Sequence, residues 1–228
     1  MDSLIFGFIA SVPLLLGTFL ALFVSLPKKI IATIMAFGSG VLIAAISFSL
    51  IEEAFSLSQS VIPVILGFIF GGLSYTIANY ILNKKSKGQT RRRKRSHGEI
   101  AGGGKEASGL SLLIGSVMDN IPENMALGIS IVTGGSVNIV LIAAIFISNF
   151  PEGLSSTEGM KSNGKSRKYI IGLWSIAVVI GSISTAIGFS ILSKANPFIV
   201  SVARSFAAGA ILVMLAESMI PEAYEEGV

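Results

Sequence analysis

SLIFGFIASVPLLLGTFLALFVSL, residues 3–26, contains no ionisable side chain. A helix of about 20 apolar residues crosses the hydrocarbon core of a bilayer. The run is continuous rather than alternating, which excludes a membrane-spanning β-strand. Only Met1 and Asp2 precede it, without the basic segment of a signal peptide, so it reads as a retained helix. Comparable stretches follow at 30–51, 61–82, 109–133, 137–156, 169–193 and 198–220. The expected fold class is therefore all-α: a polytopic membrane bundle with seven spans in 228 residues.

Composition agrees. Hydrophobic residues make up 52% of the chain and charged residues 13%. A soluble domain carries roughly 25% charged residues, so this chain has about half the charge that a water-facing surface needs. The absence of cysteine excludes a disulfide scaffold and a thiolate zinc site.

Charge placement predicts orientation. Lys28 and Lys29 follow the first span. Nine basic residues lie within 84–108, including Arg91, Arg92, Arg93, Lys94 and Arg95. Lys161, Lys165, Arg167 and Lys168 follow the fifth span. Together these are 15 of the 17 Lys and Arg; Lys194 and Arg204 are the others. If the spans alternate, all three basic segments share one side, and basic short loops are cytoplasmic. The expectation is a cell-membrane protein with its N-terminus outside and the basic loop 84–108 inside. That loop reads as a topogenic segment near anionic headgroups, so no nucleic-acid partner is expected. It holds His97, the single histidine, which cannot form a closed metal site alone.

The second and seventh spans resemble one another. Phe37 and Phe206, Gly40 and Gly209, Ser49 and Ser218, Ile51 and Ile220, Glu53 and Glu222, and Ala54 and Ala223 match at a constant offset of 169 residues. Alternating spans make such a repeat inverted, as in many secondary transporters. The organisation expected is a first repeat at 3–83, the basic loop, central helices at 109–160 and an incomplete second repeat at 169–228. The offset carries Val61 to position 230, past Val228, so the chain reads either as truncated before an eighth helix or as a departure from that repeat.

Two spans carry chemistry. The fourth contains Asp119-Asn120-Ile121-Pro122-Glu123 and the fifth Ser148-Asn149-Phe150-Pro151-Glu152. Both fit the pattern x-Asn-apolar-Pro-Glu near mid-span. Asp119 and Glu123 are four apart, as are Ser148 and Glu152, so each motif aims oxygen-bearing side chains to one face. Each proline frees a carbonyl one turn earlier, at Met118 and Ile147. Gly134-Gly135-Ser136 forms a tight turn that would make the two spans neighbours. Ionisable groups at this depth are expensive and usually functional. Three carboxylates held together need protons or a cation, and a divalent ion suits the oxygen-rich set. The polar face continues through Ser116 on one span and Ser155, Ser156 and Glu158 on the other, as an exit path. Glu52, Glu53, Glu222, Glu225 and Glu226 lie at helix ends and are expected to be solvated; Glu217 lies within the seventh span.

These residues give the chain a resemblance to the ZIP family of divalent-metal transporters. That family carries an Asn-x-Pro-Glu core in its fourth helix and a related motif in its fifth. The resemblance covers nearly the whole chain. It implies eight helices arranged 3+2+3 about an inverted repeat, seven of them in this sequence, and import of metals such as zinc. It assigns Asn120 and Glu123, with Asp119, to the fourth-helix ligand positions. It assigns Glu152 and Asn149, with Ser148, to those of the fifth. Asp119 and Ser148 stand where histidine is common. The sixth helix offers Ser182 or Ser184 in place of the frequent glutamate. An oxygen-only set weakens the preference for zinc and admits manganese or iron(II).

The expected function is transport of a divalent transition-metal ion into the cytoplasm, without a resident cofactor and without enzymatic activity. Partners are the lipid bilayer and the metal ion, with a homodimer left open. Competing readings are a proton-coupled solute carrier and a non-transporting metal sensor. An intramembrane protease is disfavoured, because no span holds histidine or a second aspartate.

Overall fold

The computed structural model describes residues 2–96, 109–134 and 138–227, with side chains placed within 2–81, 117–132 and 138–224. His97, Lys105, Gly135 and Ser136 lie outside the described residues, as do the side chains of Ser116, Glu225 and Glu226.

Among the described residues every regular element is helical. Helix α1 is Asp2–Phe23. Helix α2 runs continuously over Lys28–Ser58, starting after Pro27 and ending at Gln59, whose φ of 51° is left-handed. Helix α3 is Val61–Ser96, α4 Gly109–Gly134, α5 Ile139–Ser162 and α6 Arg167–Leu192. Helix α7 comprises Pro197–Tyr224 and continues to Gly227. Side-chain caps start three of them. Asn138 accepts from the Leu141 amide at 3.0 Å, Ser166 from Tyr169 at 3.3 Å and Asn196 from Ile199 at 2.9 Å.

Among the described residues, six helices are long and apolar enough to cross a membrane, α4 not being among them. Seven were expected. α4 has the length, 26 residues, but its placed side chains cover only 117–132 and include Asp119, Asn120, Glu123 and Asn124. Exposed Leu4, Phe8, Ile62, Ile69, Ile176 and Val179 give the bundle an apolar outer surface, as contact with lipid tails requires. The basic segment also departs from expectation. Residues 84–96 continue α3 as helix rather than loop, because lysine, arginine and glutamine are strong helix formers and no proline interrupts them.

α4 and α5 form the interior. α4 packs along α6 and α7 and touches α1, α3 and α5. α5 packs along α1 and α2 and touches α4 and α6. α1 and α6 also pack together, and α3 lies along α7. The start of α2 meets the end of α7 while its end meets the start of α7, so the two run antiparallel. Glycines set the closest crossings. A Cβ on Gly17 would collide with the Phe150 carbonyl, and one on Gly153 with that of Leu14, joining α1 to α5. Gly128 meets the Thr185 carbonyl and Gly188 that of Met125, joining α4 to α6. Small residues at such crossings let helices approach where no hydrophobic effect drives them together.

Both α2 and α7 contain a wide turn. Ile46–Ile51 and Leu215–Met219 are π-helical. The Glu52 amide donates to Ser47 and the Ile220 amide to Leu215, each five residues back. The two segments start 169 residues apart, the offset of the sequence match.

Candidate functional site

The two motifs lie on the interior helices, each with its proline inside the helix. Asn120 and Asn149 are fully buried, Ser148 nearly so, and Asp119 and Glu152 half-buried. Glu123 is 1% exposed, an extreme position for a carboxyl group.

The asparagines make matching contacts. The Asn120 Nδ2 donates to the Ala177 carbonyl of α6 at 2.9 Å. The Asn149 Nδ2 donates to the Ala10 carbonyl of α1 at 2.8 Å. Each motif is thereby tied to the helix beside it. Their oxygens differ. Asn120 Oδ1 accepts from the Asn124 amide. Asn149 Oδ1 is buried and accepts no hydrogen bond among the described residues.

Asn124 is a hub that motif spacing did not disclose. Its Nδ2 donates to the Asn120 carbonyl at 3.0 Å as well as to Asn120 Oδ1. Its Oδ1 accepts from Ser11 at 3.2 Å and Thr185 at 3.1 Å. α1, α4 and α6 therefore meet at one amide. A Cβ at Gly181 would strike Ser11 Oγ and crowd the Asn120 amide, so this network needs glycine there. The signal was present as a second asparagine four residues after Asn120. Ser182 and Ser184 turn back to their own helix, donating to Val178 and Ile180 at 2.9 and 2.8 Å. The sixth helix supplies Ala177 and Thr185 instead.

The carboxylates have different surroundings. Asp119 accepts a hydrogen bond from the Tyr75 hydroxyl of α3. Glu123 is buried, and its Oε2 accepts no hydrogen bond among the described residues. Ser148 donates to the Ile145 carbonyl at 3.0 Å. Among the described residues, no three Asp, Glu, His or Cys side chains gather as a group able to hold a metal ion. A compact trio of carboxylates was expected from helical spacing. Spacing fixes the face of each helix but not the rotamers, and Asp119 turns to a donor on α3. Glu123 Oε2 in the first motif and Asn149 Oδ1 in the second are buried acceptors that accept no hydrogen bond among the described residues. An acceptor buried without a donor is costly, and a cation would satisfy it.

Further polar groups lie toward the helix ends. Arg204, fully buried in α7, pairs with Glu53 of α2 and donates to the Ser49 carbonyl at 3.2 Å. Asn138 of α5 donates to the same Glu53 carboxylate at 2.8 Å. Ser155 of α5 donates to Glu222 of α7, and Asn79 of α3 to Glu217 at 2.5 Å. Glu53 and Glu222 are thus bonded rather than merely solvated, whereas Glu52 is exposed. Helix-end position was a poor guide because α2 and α7 continue beyond the apolar runs. Glu158, expected on the exit path, pairs with Lys161 at 3.0 Å.

No protein-family model matches the chain, and no curated protein matches it.

Proposed function

We propose that the chain is a membrane carrier for divalent transition-metal ions, zinc foremost with manganese or iron(II) also admitted, organised as a ZIP-like 3+2+3 inverted repeat. Asp119, Asn120, Glu123, Ser148, Asn149 and Glu152 form its intramembrane site. The observation that carries this reading is the pair of buried acceptors, Glu123 Oε2 and Asn149 Oδ1, that accept no hydrogen bond among the described residues. Hard oxygen donors of this kind suit a divalent cation, and weak multiple ligands suit an ion that must also leave.

Several relationships support the inverted repeat. The π-helical turns, Glu53 and Glu222 recur at the 169-residue offset. α5 packs on α1 and α2 as α4 packs on α6 and α7. Asn149 bonds α1 as Asn120 bonds α6. With the N-terminus outside, Glu53, Asn138 and Arg204 lie toward the outer face and Glu217 and Glu222 toward the cytoplasm. Import then runs from the first group toward the second by rocking of helix groups.

Equilibrium binding of Zn2+ and Mn2+ to the detergent-solubilised chain tests the site. Micromolar or tighter binding that weakens at least tenfold in Glu123→Gln supports it. Equal affinity in the variant would remove Glu123 from the site and the reading with it.

A further inference from the structure

Tyr75 is 5% exposed and belongs to neither motif. It lies on a stripe of α3 at four-residue spacing: Gly67, Gly71, Tyr75 and Asn79. The two glycines bring the α3 backbone against α7, where a Cβ would collide with the Val202 and Phe206 carbonyls. That approach carries the next two side chains inward. The Tyr75 hydroxyl donates to Asp119 of α4, and the Asn79 amide to Glu217 of α7. α3 otherwise meets α4 only lightly. Its link to the site is therefore a side-chain hydrogen bond to one of the carboxylates assigned there.

The geometry points to Tyr75 as a positioning residue that competes with the metal ion for Asp119. This rests on the reading of Asp119 as part of the metal site. The same Asp119 oxygen cannot both accept the phenolic proton and present that lone pair to a cation. A cation that takes the Asp119 lone pair facing α3 displaces the Tyr75 hydroxyl, and the return of Tyr75 favours release. A hydrogen bond to a charged acceptor is worth about a tenfold change in an equilibrium constant or somewhat more, enough to tune affinity without abolishing it. Removing the hydroxyl while keeping the ring should tighten binding, opposite to the loss expected of a ligand or a merely structural contact.

The experiment titrates Tb3+, an oxygen-preferring luminescent probe excited through nearby tyrosine, into wild type and Tyr75→Phe, and displaces it with Mn2+. Trp174, Tyr80, Tyr169 and Tyr224 are common to both proteins, so the difference in sensitised emission reports Tyr75. The expected result is Mn2+ affinity about tenfold higher in Tyr75→Phe, with sensitised emission reduced. In an Asp119→Asn background the same substitution should leave affinity unchanged, which separates competition at Asp119 from a general loss of packing. Unchanged or weaker Mn2+ binding in Tyr75→Phe, with wild type binding, would overturn the role of Tyr75 alone. A gain that persists in Asp119→Asn would also overturn it. Absence of binding in wild type would overturn the metal reading and this inference together.

Discussion

Asn149 makes on α1 the contact that Asn120 makes on α6: each amide donates to an alanine carbonyl, at 2.8 Å to Ala10 and 2.9 Å to Ala177. The motifs differ in the remaining oxygen, which is bonded in Asn120 and accepts no hydrogen bond in Asn149 among the described residues. Asn149→Ala should therefore reduce metal affinity well out of proportion to its stability loss. The intramembrane hydrogen bond it removes is worth about 0.6 kcal/mol on average. Parallel binding and thermal-unfolding measurements in detergent check the comparison.

Asn124 joins three helices through one amide, bonding Asn120, Ser11 and Thr185. Its loss strands several buried partners at once. Asn124→Ala should destabilise the protein by about 1.7 kcal/mol or more, the upper range for single interhelical bonds in membranes. Denaturant unfolding compared with Ser11→Ala, which removes one bond of the hub, provides the check.

Arg204 and Glu53 respond asymmetrically to substitution. Arg204 is fully buried, while the Glu53 side chain is 39% exposed and keeps Asn138 as a donor. Removing Glu53 takes the charge partner from a buried cation that keeps the Ser49 carbonyl, whereas removing Arg204 leaves a carboxylate that water can reach. Glu53→Ala should thus destabilise by about 3 kcal/mol, and Arg204→Met by less. Glu53→Ala combined with Arg204→Met should recover part of the loss. A double-mutant cycle on thermal stability measures the coupling.

Gly40 and Gly209 occupy corresponding positions of the sequence match but different surroundings. A Cβ at Gly209 would collide with the Phe68 carbonyl of α3, whereas nothing lies within 4 Å of one at Gly40. Gly209→Ala should destabilise by about 1–3 kcal/mol through overpacking. Gly40→Ala should be neutral or slightly stabilising, since alanine is the better helix former by roughly 1 kcal/mol. Thermal unfolding of the two variants side by side tests the contrast.

The helices were legible because a bilayer demands long uninterrupted apolar runs, and 169–193 differs from Arg167–Leu192 by one or two residues at each end. Ends beyond the apolar runs were not. α2 continues to Ser58 and α3 to Ser96, since polar helix in water leaves no hydropathy signal. The motifs lie on helices α4 and α5, where Asn120, Glu123 and Asn149 are buried. The partners of those motifs were hidden. Tyr75, Asn124 and Arg204 reach their targets through rotamers and helix crossings that periodicity does not encode. Arg204 had a signal, the one basic residue within the seven apolar runs, equal in kind to that of Asp119.

The function proposed for the two motifs is to pass a metal ion across a membrane. The most direct measurement is Zn2+ and Mn2+ uptake into proteoliposomes containing this chain, beside the Glu123→Ala, Glu152→Ala double variant. Saturable uptake by wild type that falls to the level of empty vesicles in the variant is the predicted result. Uptake equal in the two proteins, or none above empty vesicles in wild type, would contradict it.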